Sequence, residues 1–186
     1  MTGNIFVISA PSGAGKSSLV KALCELDTKL KISISHTTRK IRAGEVDGID
    51  YYFINKKNFE EMIFNNEFLE YAEVYGNYYG TNIDTINEFI DNGNDIILEI
   101  DWQGAQQVKI LMPNVIMIFI KPPSLEELKN RLIRRNTDSS AVIEKRLASV
   151  KEDLSHAHKF DYVIVNDQFD NALQEIYAIV SEYRNS

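Results

Sequence analysis

A lysine followed directly by serine, behind a run of small residues, is the stretch of this chain best suited to chemistry. It lies within Asn4-Ile5-Phe6-Val7-Ile8-Ser9-Ala10-Pro11-Ser12-Gly13-Ala14-Gly15-Lys16-Ser17-Ser18-Leu19. An apolar β-branched run, a small-residue loop and a helical pattern follow one another in the order a phosphate-binding loop requires. Backbone N–H groups from Ser12, Gly13, Ala14, Gly15, Lys16, Ser17 and Ser18 then face the anion, because a loop and a first helical turn leave such donors free. Gly13 and Gly15 remove Cβ atoms that would hold backbone away from phosphate oxygens. Lys16 supplies a point charge for the β- and γ-phosphates, and the Ser17 hydroxyl is placed to ligate Mg²⁺. Ala10 stands where the general pattern G-x-x-x-x-G-K-[ST] has its first glycine, a small change unless that position needs a positive φ. The bland alternative, a turn whose lysine binds nothing, leaves the strand–loop–helix order unused. The chain is expected to bind a nucleoside triphosphate with Mg²⁺.

A second group suits a smaller anion. Arg39 and Arg42 stand three apart in a basic loop, and Tyr51 and Tyr79 add phenols. Guanidinium forks and phenolic O–H groups are the donors expected around a monophosphate. Taken alone, an arginine-rich loop is more often a solvated turn. The Asn-Lys-x-Asp stretch with which GTPases usually read guanine does not occur.

The elements that must position these groups follow from periodicity. Residues 5–8, 95–101, 115–120 and 162–165 are apolar runs, and the last three read as parallel strands buried on both faces. Helical spacing marks residues 17–26, 57–65, 83–91, 125–135, 140–156 and 169–182. Residues 31–38 alternate as one half-buried strand, 51–54 and 68–74 read as further strands, and 76–80 read as a turn. Buried strands alternating with helices predict an α/β doubly wound parallel sheet of the phosphate-loop NTPase type. Its core covers about 1–32, 92–124 and 157–186. A small inserted α+β lobe covers about 33–91, and a helical lid about 125–156.

The 186 residues suffice for one domain, and 44% hydrophobic with 25% charged residues is ordinary for a soluble globular chain. A net charge of −7 argues against a nucleic-acid partner, so any bound anion needs a local basic cluster. Cys24 is the one cysteine, which excludes an internal disulfide, and its helical position predicts an inert core thiol. The apolar run at 5–8 is too short for a signal peptide, and no run approaches a membrane span. The expected compartment is the cytoplasm, without a membrane partner. Oligomeric state is not readable. His156 and His158 read as solvated residues near a helix end, and Trp102 as packing.

Six further stretches add specificity: Ser35-His36-Thr37-Thr38-Arg39-x-x-Arg42-x-Gly44-Glu45, Asp50-Tyr51, Phe68-Leu69-Glu70, Gly76-Asn77-Tyr78-Tyr79-Gly80-Thr81, Asp101-Trp102-Gln103-Gly104 and Ile164-Val165-Asn166-Asp167. In their order and spacing over essentially the whole chain they resemble the guanylate kinase family of bacterial type. The resemblance implies transfer of the γ-phosphoryl group of MgATP to GMP, and to dGMP, in purine nucleotide metabolism. It assigns Ser35, Glu70 and Thr81 to guanine, and Arg39, Arg42, Tyr51 and Tyr79 to the GMP phosphate. It places Asp101 beside Mg²⁺ and the acceptor, Asn166 by the adenine of ATP, and Arg131, Arg135 and Arg146 over the transferring group. One carboxylate can accept both N1–H and N2–H of guanine, whereas adenine would leave buried groups unpaired at about 1–3 kcal/mol each. Ile41 stands where the family usually has proline, and Asn136 where it commonly has glycine. Glu99 carries one methylene more than an aspartate would beside the metal. Two rivals are a kinase for another nucleoside monophosphate and a non-catalytic guanylate-kinase-like module that binds phosphopeptides. An intact Lys16-Ser17 pair argues against the second.

Overall fold

In the computed structural model, which describes residues 3–134 and 140–185, the longest apolar runs become the middle of a parallel sheet. Its strands are β1 (Ile5–Ser9), β2 (Leu30–Ile32), β7 (Asp95–Glu99), β8 (Ile116–Lys121) and β9 (Tyr162–Val165). They stand in the order β2-β7-β1-β8-β9, every neighbour parallel. Alternation along each strand splits the core between the two faces. Phe6, Ile8, Ile116, Ile118 and Ile120 face Leu19, Val20 and Leu23 of α1 (Lys16–Leu26) and Ile176 and Val180 of α7 (Phe169–Arg184). Ile5, Val7, Met117 and Phe119 face Ile86 of α3 (Ile83–Asp91) and Ala105 and Val108 of α4 (Trp102–Leu111). Helices on both faces make the sheet doubly wound.

A second sheet, β4-β3-β6-β5, stands apart from the first. It comprises β3 (His36–Thr37), β4 (Tyr52–Phe53), β5 (Phe68–Val74) and β6 (Asn77–Asn82), with α2 (Lys56–Phe64) packed on it. Phe59 of α2 is fully buried, its ring stacked on Phe68 and Tyr78 at 4.4 and 5.3 Å. Residues 125–155 supply α5 (Leu125–Arg134) and α6 (Ser140–Ser155), which pack on each other.

Four expectations need correction. The alternating stretch 31–38 is two strands in different sheets: Leu30–Ile32 pairs with β7, and His36–Thr37 pairs with Gly80 and Tyr79. Period-2 alternation reports a half-buried strand but carries no information about its partner. The turn expected at 76–80 is confined to Tyr75-Gly76, and 77–82 pairs on both sides as β6. α4, which the pattern did not mark, begins where Asp101 accepts an N-cap hydrogen bond from Gly104 N–H at 2.9 Å. β9 is an edge strand covered on one face, so Val163 and Val165 are 45% and 49% exposed.

One ionic clasp ties the chain's end to this sheet. Arg184, in the last turn of α7, donates to Asp95 at the start of β7 (Nε–Oδ2 2.7 Å) and to Asp27 just past α1. Both acids are more than nine-tenths buried. Removing only the cation strands two buried carboxylates, which is far worse than replacing the whole cluster. Arg184→Met should therefore lower unfolding stability by about 3 kcal/mol, read as a shift in denaturant midpoint without a change in slope.

Candidate active site

The phosphate loop leaves the C-terminal end of β1 and enters α1, with Gly13 at φ +92° and Gly15 at φ +95°. Positive φ favours glycine at both positions, and crowding by neighbouring side chains adds to it. A Cβ at Gly13 would press on Leu132 and Leu128 of α5 at 3.0 and 3.1 Å, and one at Gly15 would meet Asn166 Nδ2 at 2.4 Å. Among the described residues only Asn66 and Tyr75 carry a positive φ without being glycine, so Ala10 sits in ordinary backbone and its departure from the motif costs nothing.

A cleft of about 510 Å³ opens between this loop, the second sheet and α6. It brings together Ser12, Gly13, Gly15, Lys16, Ser17, Ser35, Arg42, Tyr51, Glu70, Tyr79, Asp101 and Arg146 of the expected site. A second hollow on the loop's other side is lined by Gly13, Gly15, Ser18, Arg131 and Asn166. Three expected residues line neither. The Ala14 side chain is fully buried, and its N–H closes on the Pro11 carbonyl at 3.1 Å. Thr81 is buried behind Glu70. Arg39 spends its fork on Glu45, at 2.7 and 3.0 Å, with its guanidinium over the Tyr51 ring at 5.3 Å. Arg135 and the variant position Asn136 lie outside the described residues.

Lys16 reaches across to the Ile100 carbonyl at 3.1 Å. The Ser17 hydroxyl donates to Glu99, the acid at the end of β7, rather than to Asp101. Asp101 is occupied as a helix cap, its second oxygen accepting from Gln103 Nε2 at 3.1 Å. Glu45 also accepts from Arg42 N–H at 2.8 Å, so one carboxylate holds both arginines' segment and leaves the Arg42 side chain to the cleft. Burial pushes the Tyr51 phenol up to about 12, which keeps it a neutral donor. Arg131 is held between Glu127 (3.1 Å) and the Asn166 carbonyl (3.1 Å), while the Asn166 amide donates to the Ala14 carbonyl at 2.8 Å. Arg146 Nη1 donates to Ser12 Oγ at 3.1 Å.

Glu70 is the least comfortable group in the cleft. It is 3% exposed, and burial pushes its carboxyl up to about 7, against the lowering effect of the Thr81 hydroxyl, which donates to Oε1 at 2.7 Å. Oε2 lies so close to the α4 backbone that a Cβ at Gly104 would meet it at 2.2 Å. Several cleft residues escaped the sequence reading, and Trp102 was expected only as packing. Trp102 lies in the cleft wall, stacked on His156 at 3.5 Å between ring centroids. Asp153 is raised to about 6 by burial and then by Asp101. Tyr75 and Ser149 face the cleft mouth. The available signal was helical spacing, since Arg146, Ser149 and Asp153 follow the i, i+3, i+7 rule of one helix face.

A parallel sheet with a phosphate loop at its strand ends, facing a separate lobe with a buried carboxylate and convergent phenol and guanidinium donors, defines a phosphate-loop nucleotide-kinase class. The comparisons are more particular. A family model described as guanylate kinase matches residues 2–183. Curated guanylate kinases from Thiobacillus denitrificans and Vibrio vulnificus are 53% and 52% identical, over 98% of this chain and 87% and 89% of theirs. The crystal structure of guanylate kinase from Anaplasma phagocytophilum superposes with a TM-score of 0.84 at 35% identity, covering all of this chain and 88% of that one. The chain belongs to the guanylate kinase family. A fragment of tight junction protein 3 (TM-score 0.57, 13% identity) shares the fold alone.

The raised Glu70 carboxyl carries a stability signature with a definite sign. Its folded value near 7 exceeds the ordinary 4.5, so its contribution is fully present below pH 4.5 and is lost as pH rises through 7. Glu70→Gln never carries the charge. It should be more stable than the parent at pH 8, by up to about 3 kcal/mol, and level with it near pH 4, as followed by thermal melts across that range.

Proposed function

We propose that this chain transfers the γ-phosphoryl group of ATP to GMP, giving ADP and GDP, and accepts dGMP as well. The observation that carries the guanine assignment is the buried Glu70 carboxylate at the cleft floor. It accepts the Thr81 hydroxyl on one oxygen and is held where two N–H donors of one base edge can meet it. Guanine presents that pair; adenine does not. The ordinary rival, another monophosphate kinase, gives Glu70 no reason to endure burial. A phosphopeptide-binding module needs neither Lys16 nor the positive-φ glycines.

Ser35, Glu70 and Thr81 receive the base, and Arg42, Tyr51 and Tyr79 receive the GMP phosphate, joined by Arg39 when it releases Glu45. Lys16 and the loop N–H groups hold the β- and γ-phosphates of ATP, with its adenine towards Asn166 and the hollow beneath Arg131. An oxygen of the GMP phosphate, already anionic near neutral pH, attacks the γ-phosphorus as the bond to the β-phosphate bridging oxygen breaks. No general base is needed. Catalysis is alignment and charge neutralisation, and Lys16, Arg131, Arg135 and Arg146 supply the cations. Residues 125–156 act as the lid over a core and a GMP-binding lobe, and their closure excludes water.

The oxygen donors at Ser17, Glu99 and Asp101 fit Mg²⁺, a hard ion that keeps waters and phosphate oxygens as ligands. Among the described residues no three His, Cys, Asp or Glu side chains form a metal cluster, which suits an ion held chiefly by its substrate. Ser17 would hold it directly and Asp101 through water. When bound, it neutralises charge on the β- and γ-oxygens. Among the described residues no helix is long and apolar enough to cross a membrane, and the cytoplasm is where ATP and GMP meet.

ADP release from MgATP, with GMP, AMP, UMP, CMP and dTMP offered singly, tests the reaction. Turnover should be strong with GMP alone, and a different preferred acceptor would discard the roles given to Ser35, Glu70 and Thr81. Lys16→Ala should abolish most turnover while GMP still binds. A proton on Glu70 blocks its acceptor role, so the KM for GMP should climb below pH 7 by up to about tenfold per pH unit. Glu70→Gln should show a KM raised throughout and without that step.

A further inference from the structure

The hairpin joining β5 to β6 turns on Tyr75-Gly76, with φ +51° at Tyr75 and +79° at Gly76. Such a turn favours Asn-Gly, and a bulky side chain in the left-handed region is an outlier. Tyr75 is also 42% exposed, so core packing does not account for it. What the conformation achieves is direction: the ring enters the cleft wall and its phenol meets Ser149 Oγ of α6 at 2.7 Å. Ser149 Oγ gives its one proton to the Arg146 carbonyl at 2.8 Å, so Tyr75 is the donor. Arg146 in turn reaches Ser12 of the phosphate loop at 3.1 Å.

We propose that Tyr75 and Ser149 form a latch across the cleft mouth, connecting the GMP-side hairpin to α6 and positioning Arg146 over the phosphates. This rests on the GMP-kinase reading above. Tyr75 is a positioning residue: it touches no reacting atom and acts through the turn of α6 that carries Arg146. The contact spans two bodies that must approach before phosphoryl transfer, so its loss should appear in kcat rather than in nucleotide affinity.

The test is steady-state kinetics with ATP and GMP, together with thermal melts, for Tyr75→Phe, Ser149→Ala and the double variant. Phenylalanine keeps the ring and alanine suits the helix, so both should fold, with melting temperatures lowered by no more than a few degrees. Each single variant should lose about fivefold in kcat, the scale of one net hydrogen bond, at unchanged KM for ATP. The double variant should fall no lower than the singles, and Tyr75→Phe should cost nothing further in an Arg146→Ala background. Parent-level kcat in either single variant overturns the latch. So do losses that multiply in the double variant, and so does a fivefold loss that persists without Arg146. A parent enzyme that turns over ATP but not GMP would instead overturn the kinase reading on which the latch rests.

Discussion

The site depends on backbone that is open to an anion at Gly13 and Gly15, where positive φ disfavours a side chain and close neighbours would crowd it. The loop cannot be rigid by itself, since glycine is the least constrained residue. Rigidity comes from what leans on it. Leu128 and Leu132 of α5 stand where a Cβ on Gly13 would meet them, and Asn166 after β9 stands likewise over Gly15 and bonds the Ala14 carbonyl. The same contacts therefore shape the loop and set where α5 and the segment after β9 must lie.

Around that loop the chain solves an electrostatic problem with little positive charge. At net −7 it presents a few cations and several neutral donors to the cleft, the Tyr51 phenol among them. Its own acids are disciplined: Glu45 orders the arginine segment, Asp101 caps α4, and Glu99 takes the Ser17 hydroxyl. Glu70 and Asp153 are exceptions, pushed up to about 7 and about 6 by burial. Functional sites are where such unfavourable arrangements persist, because a bound partner relieves them.

Much of this was legible in sequence order. The strands at 68–74 and 162–165 and the helix at 83–91 lie where periodicity put them. The loop motif named Lys16 and Ser17 by spacing alone. Other features carried no local mark. The break between Ile32 and His36 is a change of partner, and the exposed face of β9 follows from its edge position. Arg39 looked like a phosphate ligand from its composition, yet its fork is taken by Glu45, six residues on. Asn166 meets the loop backbone across 152 residues of chain.

What the sequence by itself determined is whatever local sterics and periodicity encode: a phosphate loop between a buried strand and a helix, and a doubly wound sheet. Only the tertiary structure decided which of those groups are free and which already have partners. It put Glu70 against Gly104 and Thr81, gave Ser17 to Glu99, and aimed Tyr75 at Ser149. Hydrogen bonds and desolvation act over a few ångströms in space, between residues separated by 11, 82 and 74 positions in the last three bonded pairs. One-dimensional spacing cannot express that proximity.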